Sequence, residues 1–200
     1  MMWPANIRDI CLLAGLLVLF AASAPPVRAQ APVTADDMTH RLGGLETAPD
    51  LDVAAIRQRA LDRVKSKAEP VALKRPRIAP ELLKLPQLLV EVQFDPDSAI
   101  VRPQSYQTLG LIADTLVRAA MLPYGFLIVG RTESVGKRES NLTLSQRRAD
   151  SIRDVLVTTF KISPKRLQAL GLGEEQLQDA NQPASLVNRQ VQIVTIAKAP

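Results

Sequence analysis

Among the 200 residues there is one cysteine and one histidine, and aromatic side chains make up only 4%. These shortages exclude whole classes of chemistry. A single thiol, Cys11, can neither close an internal disulfide nor complete a thiolate metal centre. His40 lies in a polar stretch with no second ligand or base nearby, so it reads as a solvated side chain. Neither a multi-histidine metal site nor a histidine-based triad can be assembled. The scarcity of aromatics leaves little to stack on bases and argues against nucleic acid as a partner. Hydrolysis would need a positioned base joined to a nucleophile, a metal or a second acid, and little beyond carboxylates is on offer. The expectation is a non-catalytic protein without metal or organic cofactor.

Long apolar runs are missing as well. The uncharged stretch 10–22 falls short of the roughly 20 residues that a membrane-spanning helix requires. Arg8 precedes it, Pro25 and Pro26 stop it, and Val27-Arg28-Ala29 follows. This is the pattern of a secretory signal peptide, residues 1–29, cleaved after Ala29. Cys11 is then hydrophobic filler within the leader. Arg8, Asp9 and Ile10 in front of it do not suit a lipid-attachment signal.

What the chain does have is 46% hydrophobic residues, enough for one core of ordinary size, and a net charge of +5 that is unevenly placed. Eight bases against Asp62 and Glu69 fall between Arg57 and Arg77. The stretch 30–50 mixes Pro, Thr, Asp and Gly without hydrophobic period and reads as a flexible lead-in. From Asp52 to Lys67, Val53, Ile56, Ala60 and Val64 recur at helical spacing, with Asp52 as cap and Arg63, Lys65 and Lys67 at the negative end of the dipole. Pro70, Pro76, Pro80 and Pro86 then punctuate an extended connector. Residues 30–85 are therefore expected to be flexible apart from one short basic amphipathic helix.

Residues 86–198 are better ordered. Leu88, Val90, Val92 and Phe94 alternate with Leu89, Glu91 and Gln93 as in a strand with one apolar face. Pro103 suits a first helical turn, and Leu109, Ile112, Ala113, Leu116, Val117 and Ala120 form the stripe of that helix. Phe126 to Val129 is an uninterrupted apolar strand of the kind buried on both faces. A second helix carries Leu144, Ala149, Ile152, Val155 and Leu156 on its buried side. Strands follow around Leu167 to Leu172 and from Gln190 to Ile196. The order strand, helix, strand, helix, strand, strand predicts an α/β two-layer sandwich.

One stretch is more specific. Gly130-Arg131-Thr132-Glu133, followed by Asn141, Leu144-Ser145 and Arg148-Ala149, resembles the signature of OmpA-like domains, in which a Gly-His-Thr-Asp loop precedes an Asn, a Leu-Ser pair and an Arg-Ala on the next helix. The resemblance extends to Phe94-Asp95-Pro96-Asp97-Ser98-Ala99, to Gly171-Leu172-Gly173-Glu174 and to Asn188-Arg189-Gln190-Val191. It implies a domain that holds peptidoglycan non-covalently through the diaminopimelate of the stem peptide, which carries an ammonium and a carboxylate. Glu133 matches the family's acid, which would accept from the ammonium. Arg148 matches its base, which would fork onto the carboxylate. Asn141 and Ser145 share a helix face with Arg148. Thr132, Arg131 and Arg189 complete the candidate set, with Asn188 and Arg189 expected to brace loops or Glu133.

The sequence departs from the family at two positions. Arg131 stands in place of the usual His, where it would repel the ligand ammonium or pair with Glu133. Glu133 replaces Asp and shifts the carboxylate by about 1 Å, enough to loosen a site that depends on placement. From residue types alone, a plain Glu133–Arg148 ion pair is the alternative.

The resemblance further implies a periplasmic, envelope-bound protein with an outer-membrane association. Roughly 55 residues between Ala29 and the first strand are too few for an eight-stranded barrel of about ten residues per strand. The alternative function is an OmpA-like structural or protein-interaction module with a degenerate wall-binding site. Residues 52–67 would then meet another envelope protein. The export reading predicts that mass spectrometry of protein recovered from a secreting bacterial host finds Gln30 as the first residue; an intact leader would reject it.

Overall fold

Strands β1 (Gln87–Val90), β2 (Tyr124–Gly130), β3 (Leu167–Gly171) and β4 (Val191–Lys198) form one mixed sheet in the order β1-β4-β2-β3. The computed structural model describes residues 33–47, 49, 51–66 and 76–198. β4 runs antiparallel to β1 and β2, whereas β3 is parallel to β2. A parallel neighbour needs a crossover, which α4 (Arg138–Thr158) supplies. α3 (Tyr106–Leu116) links β1 to β2. This is the predicted element order. The expected signal peptide and residues 67–75 of the expected connector lie outside the described residues.

Both faces of β2 are buried, as its unbroken apolar run requires. Phe126 and Ile128 pack with Leu109, Ile112 and Leu116 of α3 and Ala149, Ile152 and Leu156 of α4. Leu127 and Val129 enter a second core on the opposite face. To the expected two layers the amino-terminal segment therefore adds a third. In α2 (Val53–Lys65), Val53, Ile56, Ala60 and Val64 are buried with Leu127, Val129, Leu170, Val194 and Ile196. Its bases serve the same docking: Arg57, Arg59 and Arg63 donate to the carbonyls of Ala169, Ile78 and Pro76. The apolar stripe of residues 52–67 is thus occupied by the chain's own sheet.

The lead-in expected to be flexible instead contains α1 (Ala35–Leu42). Thr34 and Asp37 form a reciprocal capping box, and Met38 and Leu42, one turn apart, are buried. Three apolar residues in eight, Ala35, Met38 and Leu42, make a stripe too short to read as a period. The cap and the tertiary burial stabilise a helix too short to persist alone.

Two stripes end earlier than their sequence pattern. β1 stops at Val90, and Phe94 keeps only an isolated bridge to Val101. Ser105 Oγ accepts from the Gln93 amide at 2.7 Å and draws the chain out of the sheet. α3 ends at Leu116, leaving Val117 and Ala120 exposed. The buried place goes to Thr115, whose hydroxyl donates to Leu111 O at 2.8 Å.

The outer edge of β3 is closed by side chains. Arg153 Nε donates to Leu167 O at 3.0 Å, Arg57 to Ala169 O at 2.8 Å, and the Gly171 amide donates to Gln146 Oε1 at 2.7 Å. Such capping protects an edge strand from pairing with another chain.

Close contact of α4 with the strand ends is possible only because β2 and β3 finish in glycine. A Cβ at Gly130 would lie 2.2 Å from Ser145 O, and one at Gly171 would lie 2.2 Å from Gln146 N. Both obstacles are backbone. Gly171→Ala is therefore expected to destabilise by about 3 kcal/mol or more, since overpacking with no side chain able to yield is at the costly end of its range. A urea midpoint equal to that of the parent would reject this packing.

Candidate functional site

At the ends of β2 and β4 a cleft of about 820 Å³ opens among the 91–97 segment, the residues following β2, the first turns of α4 and the turn before β4. Thr132, Glu133, Asn141, Arg148 and Arg189 line it, together with Phe94 and Asp97.

Glu133 lies just beyond β2 with its side chain 13% exposed. Both of its carboxylate oxygens accept from the Arg189 guanidinium, through Nε and Nη2. Burial works against the charge on Glu133. The Arg189 hydrogen bonds, a backbone amide and the nearby Arg148 outweigh it, and the carboxyl is held below its ordinary value. Arg189 is in turn positioned by its neighbour. Asn188 is fully buried; it donates to Asp179 O, Gln182 O and Pro183 O and accepts from the Asp179 amide, pinning the 3-10 turn Leu186–Arg189.

Arg148 projects from α4 and is not paired with Glu133. Its Nε donates to Ser98 O at 2.9 Å, and the guanidinium carbon lies 4.9 Å from the centroid of the Phe94 ring. Burial and the like charge of Arg189 lower its affinity for the proton, against Glu133 and Asp97. Asp97 adopts φ 49°, in the left-handed region, at the turn where Ser98 N donates to Asp95 O. That turn presents the Ser98 carbonyl to Arg148. The Glu133–Arg148 ion pair offered by residue types alone is therefore not formed; Glu133 pairs with Arg189.

The remaining candidates separate. Asn141 is buried as a brace: its amide nitrogen donates to Glu133 O at 3.3 Å, Val135 O at 3.0 Å and Glu174 Oε2 at 2.8 Å. It shapes the loop that carries Glu133. Ser145 is fully buried beneath the cleft, donating to Leu142 O and accepting from the Gly173 amide at 2.8 Å each. Close packing of α4 against Gly173 takes it out of reach of any ligand. Thr132 is 2% exposed, and among the described residues its hydroxyl has no partner.

Arg131 corrects the sequence-based expectation most clearly. It neither pairs with Glu133 nor lines the cleft. Strand alternation carries it to the face of Leu127 and Val129, where its Nη2 donates to Gln192 Oε1. Sequence reasoning missed Glu174, a buried acid that also accepts from Ser134 Oγ at 2.9 Å. Its position after Gly171-Leu172-Gly173 was visible, but no spacing signal tied it to Asn141, 33 residues away.

Residues 93–190 match the model of the OmpA family. Outer membrane porin F of Pseudomonas fluorescens is 34% identical over 112 residues, 55% of this chain and 33% of the porin. The peptidoglycan-associated lipoprotein of Brucella melitensis is 36% identical over 83 residues, 42% of this chain and 48% of that protein. The chain thus spans a third to about half the length of these relatives. The crystal structure of the peptidoglycan-associated lipoprotein from Burkholderia pseudomallei aligns with a TM-score of 0.42 and 28% identity, over 57% of this chain and 92% of that one.

The Glu133–Arg189 pair makes stability depend on pH in a definite direction. Because the folded-state pKa of Glu133 lies below its unfolded value, its contribution is complete above the ordinary carboxylate range. It is lost as pH falls through the depressed folded value. The gap in urea midpoint between the parent and Glu133→Gln should be full at neutral pH and close in acid. A gap that is independent of pH would reject the pairing.

Proposed function

With residues 93–190 identified as an OmpA-family domain, we propose that this chain is a non-catalytic, exported cell-envelope protein of the periplasm that holds peptidoglycan without a covalent bond. The observation that carries the reading is that Glu133 and Arg148 line one cleft without neutralising each other. Among the described residues only the Nε of Arg148 is hydrogen-bonded, which leaves its two terminal nitrogens for a carboxylate. Diaminopimelate in the wall stem peptide offers that carboxylate beside an ammonium. The ammonium would approach the lone pairs of Glu133 that Arg189 leaves open, since a carboxylate can accept about four hydrogen bonds. Arg189 then orients the acid, and Asn141 fixes the loop behind it.

A charged hydrogen bond contributes roughly 1.5 to 3 kcal/mol, so one such cleft binds weakly. Attachment then rests on the many repeats of the polymer, which raise the effective concentration of ligand. The second reading, an OmpA-like structural or protein-interaction module without wall binding, draws on the occupation of Glu133 by Arg189.

Sedimentation with purified sacculi separates the two. The parent should pellet, and free diaminopimelate should release it. Glu133→Ala and Arg148→Ala should each weaken the association by about tenfold, equivalent to roughly 1.4 kcal/mol. If the parent stays in the supernatant, the structural reading replaces this one. If both variants pellet like the parent, the cleft is not the binding site.

A further inference from the structure

The buried guanidinium of Arg131 lies outside the cleft. Its residue is 2% exposed, yet among the described residues its Nε and Nη1 have no hydrogen-bond partner. Those two nitrogens carry three of the five guanidinium N–H groups. The remaining nitrogen donates to Gln192, whose own amide donates to Gln87, whose amide in turn donates to the carbonyls of Leu82, Leu83 and Leu85. Every member of that polar row donates onward, and none brings a negative charge back to Arg131.

Among the described residues, the charged neighbour that acts on Arg131 is Arg77, another cation. Burial, and then Arg77, pull the Arg131 guanidinium down to about 10, so it remains protonated at neutral pH and cannot escape its burial by losing the proton. A buried cation with open donors and a second cation beside it is strongly unfavourable unless an anion compensates it. Arg77 itself is exposed and marks the solvent side of the group.

We propose that Arg131 and Arg77 form a binding site for a small monovalent anion, of the halide class, on the sheet face opposite the cleft. Slight exposure and the apolar neighbours Leu127 and Val129 favour a small ion over a polyatomic oxyanion. Arg131 Nε and Nη1 supply the donors, and the exposed Arg77 adds a second positive charge. Because Arg131 lies two residues before Glu133, occupancy also steadies the strand end from which the cleft loop departs. This inference does not depend on wall binding.

The test is thermal unfolding of the purified protein at constant ionic strength, with gluconate replaced stepwise by chloride and, in a parallel series, by phosphate. Chloride at a hundredfold excess over its Kd should raise Tm by about 5 °C or more. Arg131→Met should lose that response and be at least as stable as the parent without chloride. Should Arg131→Met fail to fold, Arg77→Gln at the exposed position should shift the chloride midpoint about tenfold upward while leaving the fold intact. The proposal is overturned by a parent that ignores chloride, by a response to phosphate alone, or by an unchanged chloride response in the variants.

Discussion

The seating of α4 on the ends of β2 and β3 is the constraint from which the rest of the site follows. Gly130 and Gly171 let the helix backbone approach where any Cβ would collide, and the Gly173 amide is bonded to Ser145 Oγ. Contact this close fixes the rotation of the helix. It turns Ser145 into the interior, Asn141 towards the loop after β2, and Arg148 across to Ser98 and Phe94. Three polar residues on one helix face therefore have three different tasks, set by how far each stands from the glycine contact.

Charge placement depends on the same frame. Glu133 and Arg131 are separated by one residue and would share a face if the strand continued; because β2 ends at Gly130, the loop carries Glu133 into the cleft while Arg131 keeps to the face of the second core. The acid meets Arg189 because Asn188 pins the turn that carries it. Arg148 keeps its terminal nitrogens for the cleft because its Nε and its planar face are satisfied by a carbonyl and a ring. Glu174, buried under Asn141, ties the loop to the chain after β3. The cleft is a set of charges held apart by neighbours, so that an acid and a base coexist a short distance from one another without cancelling.

The amino-terminal segment has a structural role that its composition hides. Its bases between Arg57 and Arg63 look like a surface for an anionic partner, but they donate to the chain's own carbonyls, and one of them helps to close the edge of β3. The sheet face covered by α2 would otherwise expose Leu127, Val129, Val194 and Ile196, an apolar area too large to leave in water.

Periodicity and local motif determined much of this protein in advance. The alternation from Leu88, the unbroken run from Phe126 and the stripes of α3 and α4 require a sheet with helices against it, because burial repeats every two residues in a strand and every 3.6 in a helix. The spaced motif blocks marked the family and picked out Glu133, Arg148 and Arg189. What local pattern could not encode was decided by contacts between distant segments. α1 carries too few apolar residues for a period and exists by docking, and the inward use of α2 depends on an uncovered sheet face. The sequence leaves Glu133 open to both Arg148 and Arg189; the choice of Arg189, and the turning of Arg131 away from both, depend on strand register and on a turn pinned across the chain. Charge partners are chosen by position in space, and only the folded chain brings residues 133 and 189 together.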